Sequence, residues 1–126
     1  MIGLIRLHHV SFAVSDLDDS RHFFSEVLGL SEIQRPGFQY PGAWYALGDR
    51  QLHLIQETNG GGDATGPASR SDHMALEVSE IDAVKTRLAE HGIEFGEGGN
   101  EKLGMSQVFC RDPDGHIIEF VSYRTG

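Results

Sequence analysis

The sequence is short of several residue types, and each shortage excludes a class of protein. It has one cysteine, Cys110, so no disulfide can form within the chain. Basic residues number 10 against 19 acidic ones, which gives a net charge of −9 at pH 7. This charge argues against nucleic acid or an anionic membrane as the partner, because both attract basic surfaces. No apolar run approaches the length of about 20 residues that a membrane-spanning helix needs.

What remains is the composition of an ordinary globular protein, with 39% hydrophobic and 23% charged residues in 126 positions. That length suits a single domain with one hydrophobic core. The first six residues show no signal-peptide pattern, and the lone cysteine fits a reducing compartment. We therefore expect one domain over residues 1–126, located in the cytoplasm.

Periodicity and turn residues predict the elements of the first half. Alternation over residues 4–14 indicates a strand, and Ser15-Asp-Leu-Asp18 has the form of a helix start. The helix should end at Gly29 and be followed by a short strand over 30–35 and a hairpin of strands 44–47 and 51–56.

After a glycine- and serine-rich linker over residues 59–71 the same pattern restarts. It predicts a strand over 72–78, a helix from Ser79 to Gly92, a short strand over 93–96, a loop over 98–104 and a closing hairpin of strands 107–111 and 117–123. The domain thus divides into module 1 (1–58), the linker and module 2 (72–126), each of the βαβββ type. The predicted fold class is α+β.

The two halves are related by an internal repeat. His9-Val-Ser-Phe-Ala-Val-Ser-Asp-Leu-Asp18 matches His73-Met-Ala-Leu-Glu-Val-Ser-Glu-Ile-Asp82, and Leu52-His-Leu54 matches Ile118-Glu-Phe120. Each half therefore has a metal-capable side chain on its first strand and another on its last strand. Strand alternation places both on the face opposite the helix-packing residues.

Glu119 lies in an apolar run after the turn Asp112-Pro-Asp-Gly115, where a charge is costly unless it is paired or bound to a metal. Two halves that face each other would unite the four repeat-related side chains: His9, His53, His73 and Glu119. Three imidazoles and a carboxylate suit Ni, Zn, Fe, Co or Mn. Three ligands can suffice, so His53 could instead line the substrate site. Phe38, Tyr40, Trp44 and Tyr45 could line that site or serve core and dimer packing.

Four segments resemble the vicinal oxygen chelate superfamily, which includes glyoxalase I, bleomycin-binding proteins and extradiol dioxygenases. They are Leu7-His-His-Val-Ser-Phe-Ala-Val-Ser-Asp-Leu17, Phe23-Phe-Ser-Glu-Val-Leu-Gly-Leu30, Asp72-His-Met-Ala-Leu-Glu-Val78 and Asp112-Pro-Asp-Gly-His-Ile-Ile-Glu-Phe120. The resemblance covers nearly the whole chain. It implies an α+β fold of two βαβββ modules whose curled mixed sheets surround a divalent metal, with ligands that fall on His9, His53, His73 and Glu119.

The resemblance further implies a lyase or isomerase in which the metal chelates vicinal oxygens of a small substrate and stabilises an enediolate-like intermediate. Glu119, or a bound hydroxide, would be the base. Two alternatives stay open at this point: an Fe(II)-dependent extradiol-type dioxygenase, and a drug-binding resistance protein without catalysis. A homodimer is the expected assembly, and the two modules could close around the metal within one chain or between two.

Overall fold

The protein is described by a computed structural model, which covers residues 3–56 and 73–124. Its contacts divide the chain into two compact units, Met1–Gly61 and Gly62–Gly126. The predicted linker over 59–71 lies outside the described residues. Each unit is therefore described by itself.

The first unit contains one mixed four-stranded sheet and one helical segment. Its elements are β1 (His9–Val14), α1 (Leu17–Arg21) continued by a π-helical segment (His22–Val27), β2 (Glu32–Ile33), β3 (Gly42–Leu47) and β4 (Arg50–Gln56). The sheet order is β1-β4-β3-β2. Strand β1 runs parallel to β4, while β3 is antiparallel to both β4 and β2.

The second unit repeats this plan. Its elements are β5 (His73–Glu77), α2 (Ile81–Glu90), β6 (Gly96–Asn100), a 3₁₀ turn (Glu101–Leu103), β7 (Met105–Arg111) and β8 (Ile117–Tyr123). The order β5-β8-β7-β6 is that of the first sheet, again with the first and last strands parallel. Two βαβββ modules with mixed sheets confirm the predicted fold class. None of the helices in the described residues is both long and apolar enough to cross a membrane.

In each unit the helix covers one face of the sheet. The segment α1 contacts β3 and β4, and α2 contacts β7 and β8. Alternation along β4 turns Leu52 and Leu54 into the core, where both are fully buried. Along β8, Ile118 and Phe120 are buried in the same way. The residue between each pair, His53 or Glu119, must therefore point to the opposite face of its sheet.

Several element boundaries differ from the predictions. The first strand begins at His9 rather than residue 4, because its described partner β4 starts at Arg50 and offers nothing further to pair with. The second strand is only Glu32–Ile33. Asp16, one residue later than expected, caps α1 by accepting a hydrogen bond from the backbone N–H of Asp19 at 3.1 Å.

The largest correction concerns β6, which occupies Gly96–Asn100 instead of residues 93–96 and so includes the first three residues of the predicted loop. Glycine is depleted in strands, so Gly96-Glu-Gly-Gly-Asn100 carries no strand signal of its own. Pairing with β7, from Gly96 opposite Phe109 to Asn100 opposite Met105, imposes the strand conformation. Both predicted hairpins are confirmed, as are the helix ends near Gly29 and Gly92, which have φ of 72° and 68°.

Candidate metal centre

The second unit brings His73 and Glu119 into direct contact. Strands β5 and β8 are parallel neighbours, with Ala75 opposite Glu119 and His73 opposite Ile117. The two side chains project from the same face, and His73 Nε2 lies 3.0 Å from Glu119 Oε1. Glu119 is only 7% exposed. The buried carboxylate thus has a nitrogen partner on the strand that the internal repeat indicated.

Glu119 also has a second partner, Gln107 on β7. The side-chain amide of Gln107 donates a hydrogen bond from Nε2 to Glu119 Oε2 at 3.1 Å. Phe109, two residues further along β7, lies directly opposite Glu119 and contacts His73 edge-on at 6.2 Å between ring centroids. Each carboxylate oxygen therefore has one defined polar neighbour, which is what burial of a charged group requires.

The first unit brings His9 and His53 together by stacking. Their ring centroids lie 4.0 Å apart with planes inclined by 18°. On the other face of His53 lies Trp44, again at 4.0 Å and with planes inclined by 2°. His53 is therefore the middle ring of a column made by side chains of β1, β4 and β3. Contact on both faces fixes the orientation of its imidazole plane.

One nitrogen of each of these histidines is engaged by a polar neighbour. His53 Nε2 lies 2.8 Å from Gln51 Oε1, and His9 Nδ1 lies 2.9 Å from His8 Nδ1. A metal-ligating imidazole characteristically donates its other N–H to a carbonyl or similar acceptor, which fixes its tautomer. With these contacts in place, His53 Nδ1 and His9 Nε2 are the nitrogens that could bind a metal.

The surroundings of His53 favour its neutral form, which is the form that binds metals. Burial lowers the pKa of His53 because water is excluded from the charged imidazolium. Electrostatic repulsion between the imidazolium and its neighbours His9, His8 and Arg35 lowers this pKa further.

Corresponding positions in the two sheets carry the two pairs. Trp44 lies opposite His53 in one sheet, and Phe109 lies opposite Glu119 in the other. On the other side, Ser11 lies opposite His53 as Ala75 lies opposite Glu119. The repeat found in the sequence is therefore a repeat of strand register. Each unit supplies one pair of the four predicted side chains.

The chemistry of both pairs fits a divalent metal. His73 Nε2 and Glu119 Oε1 lie 3.0 Å apart, and imidazole nitrogen and carboxylate oxygen are both accepted donors for such a metal. Within either unit taken alone, the described residues contain no group of three or more His, Cys, Asp or Glu side chains arranged to hold a metal. Each unit thus holds one half of the predicted donor set.

Sequence reasoning missed the polar neighbours of these pairs. His8 directly precedes β1, so strand alternation does not govern its side chain, and its ring contacts His9 at 5.1 Å between centroids. Gln51 could have been found, since it is two residues from His53 and shares its face. Gln107 could not, because its contact with Glu119 depends on the register of β7 against β8.

Other residues considered in the sequence are accounted for elsewhere. Tyr45 belongs to the core, fully buried, with its hydroxyl 2.8 Å from Ser25 Oγ. Cys110 is buried, and burial raises the pKa of its thiol to about 12, which makes it a poor nucleophile. A further histidine, His116, has its Nδ1 2.9 Å from Asp112 Oδ2 and a partly buried side chain.

Comparison with known proteins identifies the family. The family model described as the Glyoxalase/Bleomycin resistance protein/Dioxygenase superfamily matches residues 6–120. The chain belongs to this superfamily, which confirms the resemblance found in its motifs.

Relatives and solved structures agree with this assignment. The chain is 31% identical over 123 residues to the Arabidopsis thaliana protein named Glyoxylase I 4, covering 94% of the chain and 71% of the relative. It is 29% identical to the lactoylglutathione lyase of Haemophilus influenzae, covering 96% and 95%. A glyoxylase/bleomycin resistance protein/dioxygenase domain from Frankia sp. EAN1pec superposes with a TM-score of 0.76 at 28% identity, covering 97% and 100%.

Proposed function

We propose that this protein is a metal-dependent enzyme of the lyase or isomerase type that acts on a small molecule with vicinal oxygens. The metal is a divalent ion, one of Ni, Zn, Fe, Co or Mn, and its ligands are His9, His53, His73 and Glu119. The observation that carries the proposal is the contact of 3.0 Å between His73 and Glu119 on one face of an otherwise apolar sheet centre. Relatives named lactoylglutathione lyase and Glyoxylase I 4 support the reaction class.

A divalent cation bound by this set would supply Lewis-acid stabilisation of the enediolate-like anion that forms when a C–H proton next to a carbonyl is removed. Glu119, partly released from the metal, would be the base: its Oε1 accepts that proton and returns it to the neighbouring carbon, so no proton is gained or lost overall. The carboxylate is only 7% exposed, with the Phe109 side chain directly opposite it in the sheet, and this burial limits proton exchange with solvent.

Each unit contributes one ligand pair, and the two pairs complete one metal site. The site is shared either within one chain or between the chains of a homodimer, in the cytoplasm. Where two chains share it, removal of the metal should shift the protein towards monomer. Light scattering before and after treatment with a chelator measures this, and a metal-replete monomer would exclude the shared-dimer version.

The experiment that tests the function starts from protein purified without chelators. Elemental analysis should find a stoichiometric divalent metal, and thermal-shift screening should find stabilisation by 2-oxoaldehyde–thiol adducts rather than by catechols or acyl-CoAs. Glu119→Ala should lose metal and turnover together. Stoichiometric metal in Glu119→Ala would contradict the ligand assignment. Turnover of catechols with Fe(II) would instead indicate a dioxygenase, and ligand binding without metal or turnover would indicate a binding protein.

A further inference from the structure

The two carboxylate oxygens of Glu119 have different partners in the second unit. Oε1 faces His73 Nε2 at 3.0 Å, whereas Oε2 accepts a hydrogen bond from Gln107 Nε2 at 3.1 Å. A carboxylate only accepts hydrogen bonds, so the amide of Gln107 must present its NH₂ group rather than its carbonyl. One oxygen is thereby engaged by an amide, and the other is directed at the second metal-capable side chain of the unit.

The length of Gln107 matters for this contact. Gln107 lies opposite Val121 in the pairing of β7 with β8, so Glu119 is its diagonal neighbour on the same face. Diagonal neighbours in a sheet are about 7–8 Å apart, which long side chains can bridge. Asparagine, one methylene shorter, would fall short of the carboxylate.

The glycine-rich strand β6 leaves room for this amide. Gly98 lies opposite Gln107 in the pairing of β6 with β7. A Cβ added to Gly98 would lie 3.0 Å from Gln107 Oε1 and 3.5 Å from Phe109 Cε2. The first distance is tight, so alanine at 98 would displace the amide by a few tenths of an ångström. Gly98 does not have positive φ, so its backbone conformation would tolerate alanine.

We propose that Gln107 is a positioning residue that holds Glu119 as a ligand through one oxygen, and that Gly98 provides the space this amide needs. The inference rests on the proposed function, because it assigns the role to a metal ligand. By occupying Oε2, the amide leaves Oε1 beside His73 as the coordinating atom and fixes the carboxylate before the metal arrives. Partners of this kind typically contribute about 10- to 100-fold to metal affinity.

The test is a Zn²⁺ titration of metal-free protein against a chromophoric chelator, since imidazole and carboxylate donors bind Zn²⁺ well. Gln107→Met keeps the side-chain length but cannot donate the hydrogen bond to Glu119. Gln107→Asn keeps the amide on a side chain that is too short to reach the carboxylate. Both should weaken Zn²⁺ binding by about 10-fold or more. Each substitution also leaves one buried carboxylate oxygen without its donor, so the melting temperature of each metal-free variant should fall somewhat. Titrations carried out well below that melting temperature, where every variant is fully folded, separate positioning of the ligand from loss of folded protein.

Gly98→Ala should weaken Zn²⁺ binding in the same direction but less. Gly96→Ala is the matched control on the same strand, because nothing lies within 4 Å of an added Cβ there and its φ is not positive. It should bind Zn²⁺ as the wild type does. In the double variant Gly98→Ala/Gln107→Met, the glycine substitution should add no further loss, because both act through the same amide.

The outcomes separate this inference from the proposed function. If the wild type binds Zn²⁺ and both Gln107→Met and Gln107→Asn bind it equally well, the inference fails while the proposed function stands. Additive losses in the double variant would overturn the role of Gly98. A wild type that binds no Zn²⁺, with Glu119→Gln indistinguishable from it, would overturn the proposed function and the inference with it.

Discussion

The sheets of the two units have the same internal strand order and register. Their metal-capable side chains are nevertheless held by different contacts. In the second unit His73 and Glu119 are joined by a polar contact of 3.0 Å, with Gln107 on the second carboxylate oxygen. In the first unit His53 lies between the rings of His9 and Trp44, each 4.0 Å away.

The difference follows from which residue stands on the last strand. A buried carboxylate needs donors, because an unpaired charge is expensive, so its neighbours are an imidazole and an amide. A neutral imidazole can be held by stacking and one hydrogen bond instead. The same strand register thus accommodates a charged and a neutral ligand, provided that the neighbouring strand supplies the matching contact.

The largest expected effect comes from replacing the central residue of each pair by the same amide. Glu119→Gln removes the only carboxylate of the proposed set and should weaken Zn²⁺ binding by more than about 100-fold, beyond the loss typical of outer partners. His53→Gln removes one of three imidazoles and should cost about 10-fold. Competition titrations of the two variants measure both. Equal losses would contradict the distinction between the pairs.

Converting one pair into the other is the next test. His53→Glu would give the first unit a histidine–carboxylate pair like that of the second, and carboxylate oxygen is an accepted ligand for these metals. Zn²⁺ affinity should stay within about 10-fold of the wild type, because one metal ligand is exchanged for another rather than lost. The metal-free variant should melt earlier, because the charge replaces a stacked ring. Calorimetry with and without Zn²⁺ checks this; an unchanged metal-free melting temperature would mean that the stacking is unimportant.

The aromatic neighbours should also differ. Trp44→Leu removes a ring stacked on a proposed ligand and should weaken Zn²⁺ binding several-fold, with a loss of about 1–2 kcal/mol in the free energy of unfolding. Phe109→Leu, at the corresponding position, should destabilise the protein by about 1 kcal/mol with almost no change in Zn²⁺ affinity. Denaturant unfolding and Zn²⁺ titration separate the two effects. A larger loss of Zn²⁺ affinity in Phe109→Leu than in Trp44→Leu would contradict the proposed difference between the two aromatic neighbours.

Of the two glutamines beside the proposed ligands, Gln51 should have the smaller effect on Zn²⁺ affinity. Its contact is with a neutral imidazole, and hydrogen bonds to neutral groups are about half as strong as those to charged ones. Gln51→Met should therefore weaken Zn²⁺ binding about 3-fold, less than the loss of about 10-fold expected for Gln107→Met. The same titration compares them, and a greater loss at Gln51 would contradict the account.

The four candidate ligands could be predicted from the sequence, whereas the residues that hold them in place could not. His9, His53, His73 and Glu119 were found because strand alternation and the repeat depend only on counting residues. Strand β6 was misplaced because its glycines take their conformation from β7, a contact between distant segments. Gln107, Trp44 and Gly98 acquire their roles from the same cross-strand registers. A sequence fixes alternation within a strand, but it does not state which residue of a neighbouring strand lies opposite.

The central claim is that both pairs bind one metal, and X-ray absorption spectroscopy of the Zn²⁺-loaded protein tests it most directly. The account predicts three imidazole ligands in the wild type and two in each of His53→Ala and His73→Ala. An imidazole count that either variant leaves unchanged would contradict it.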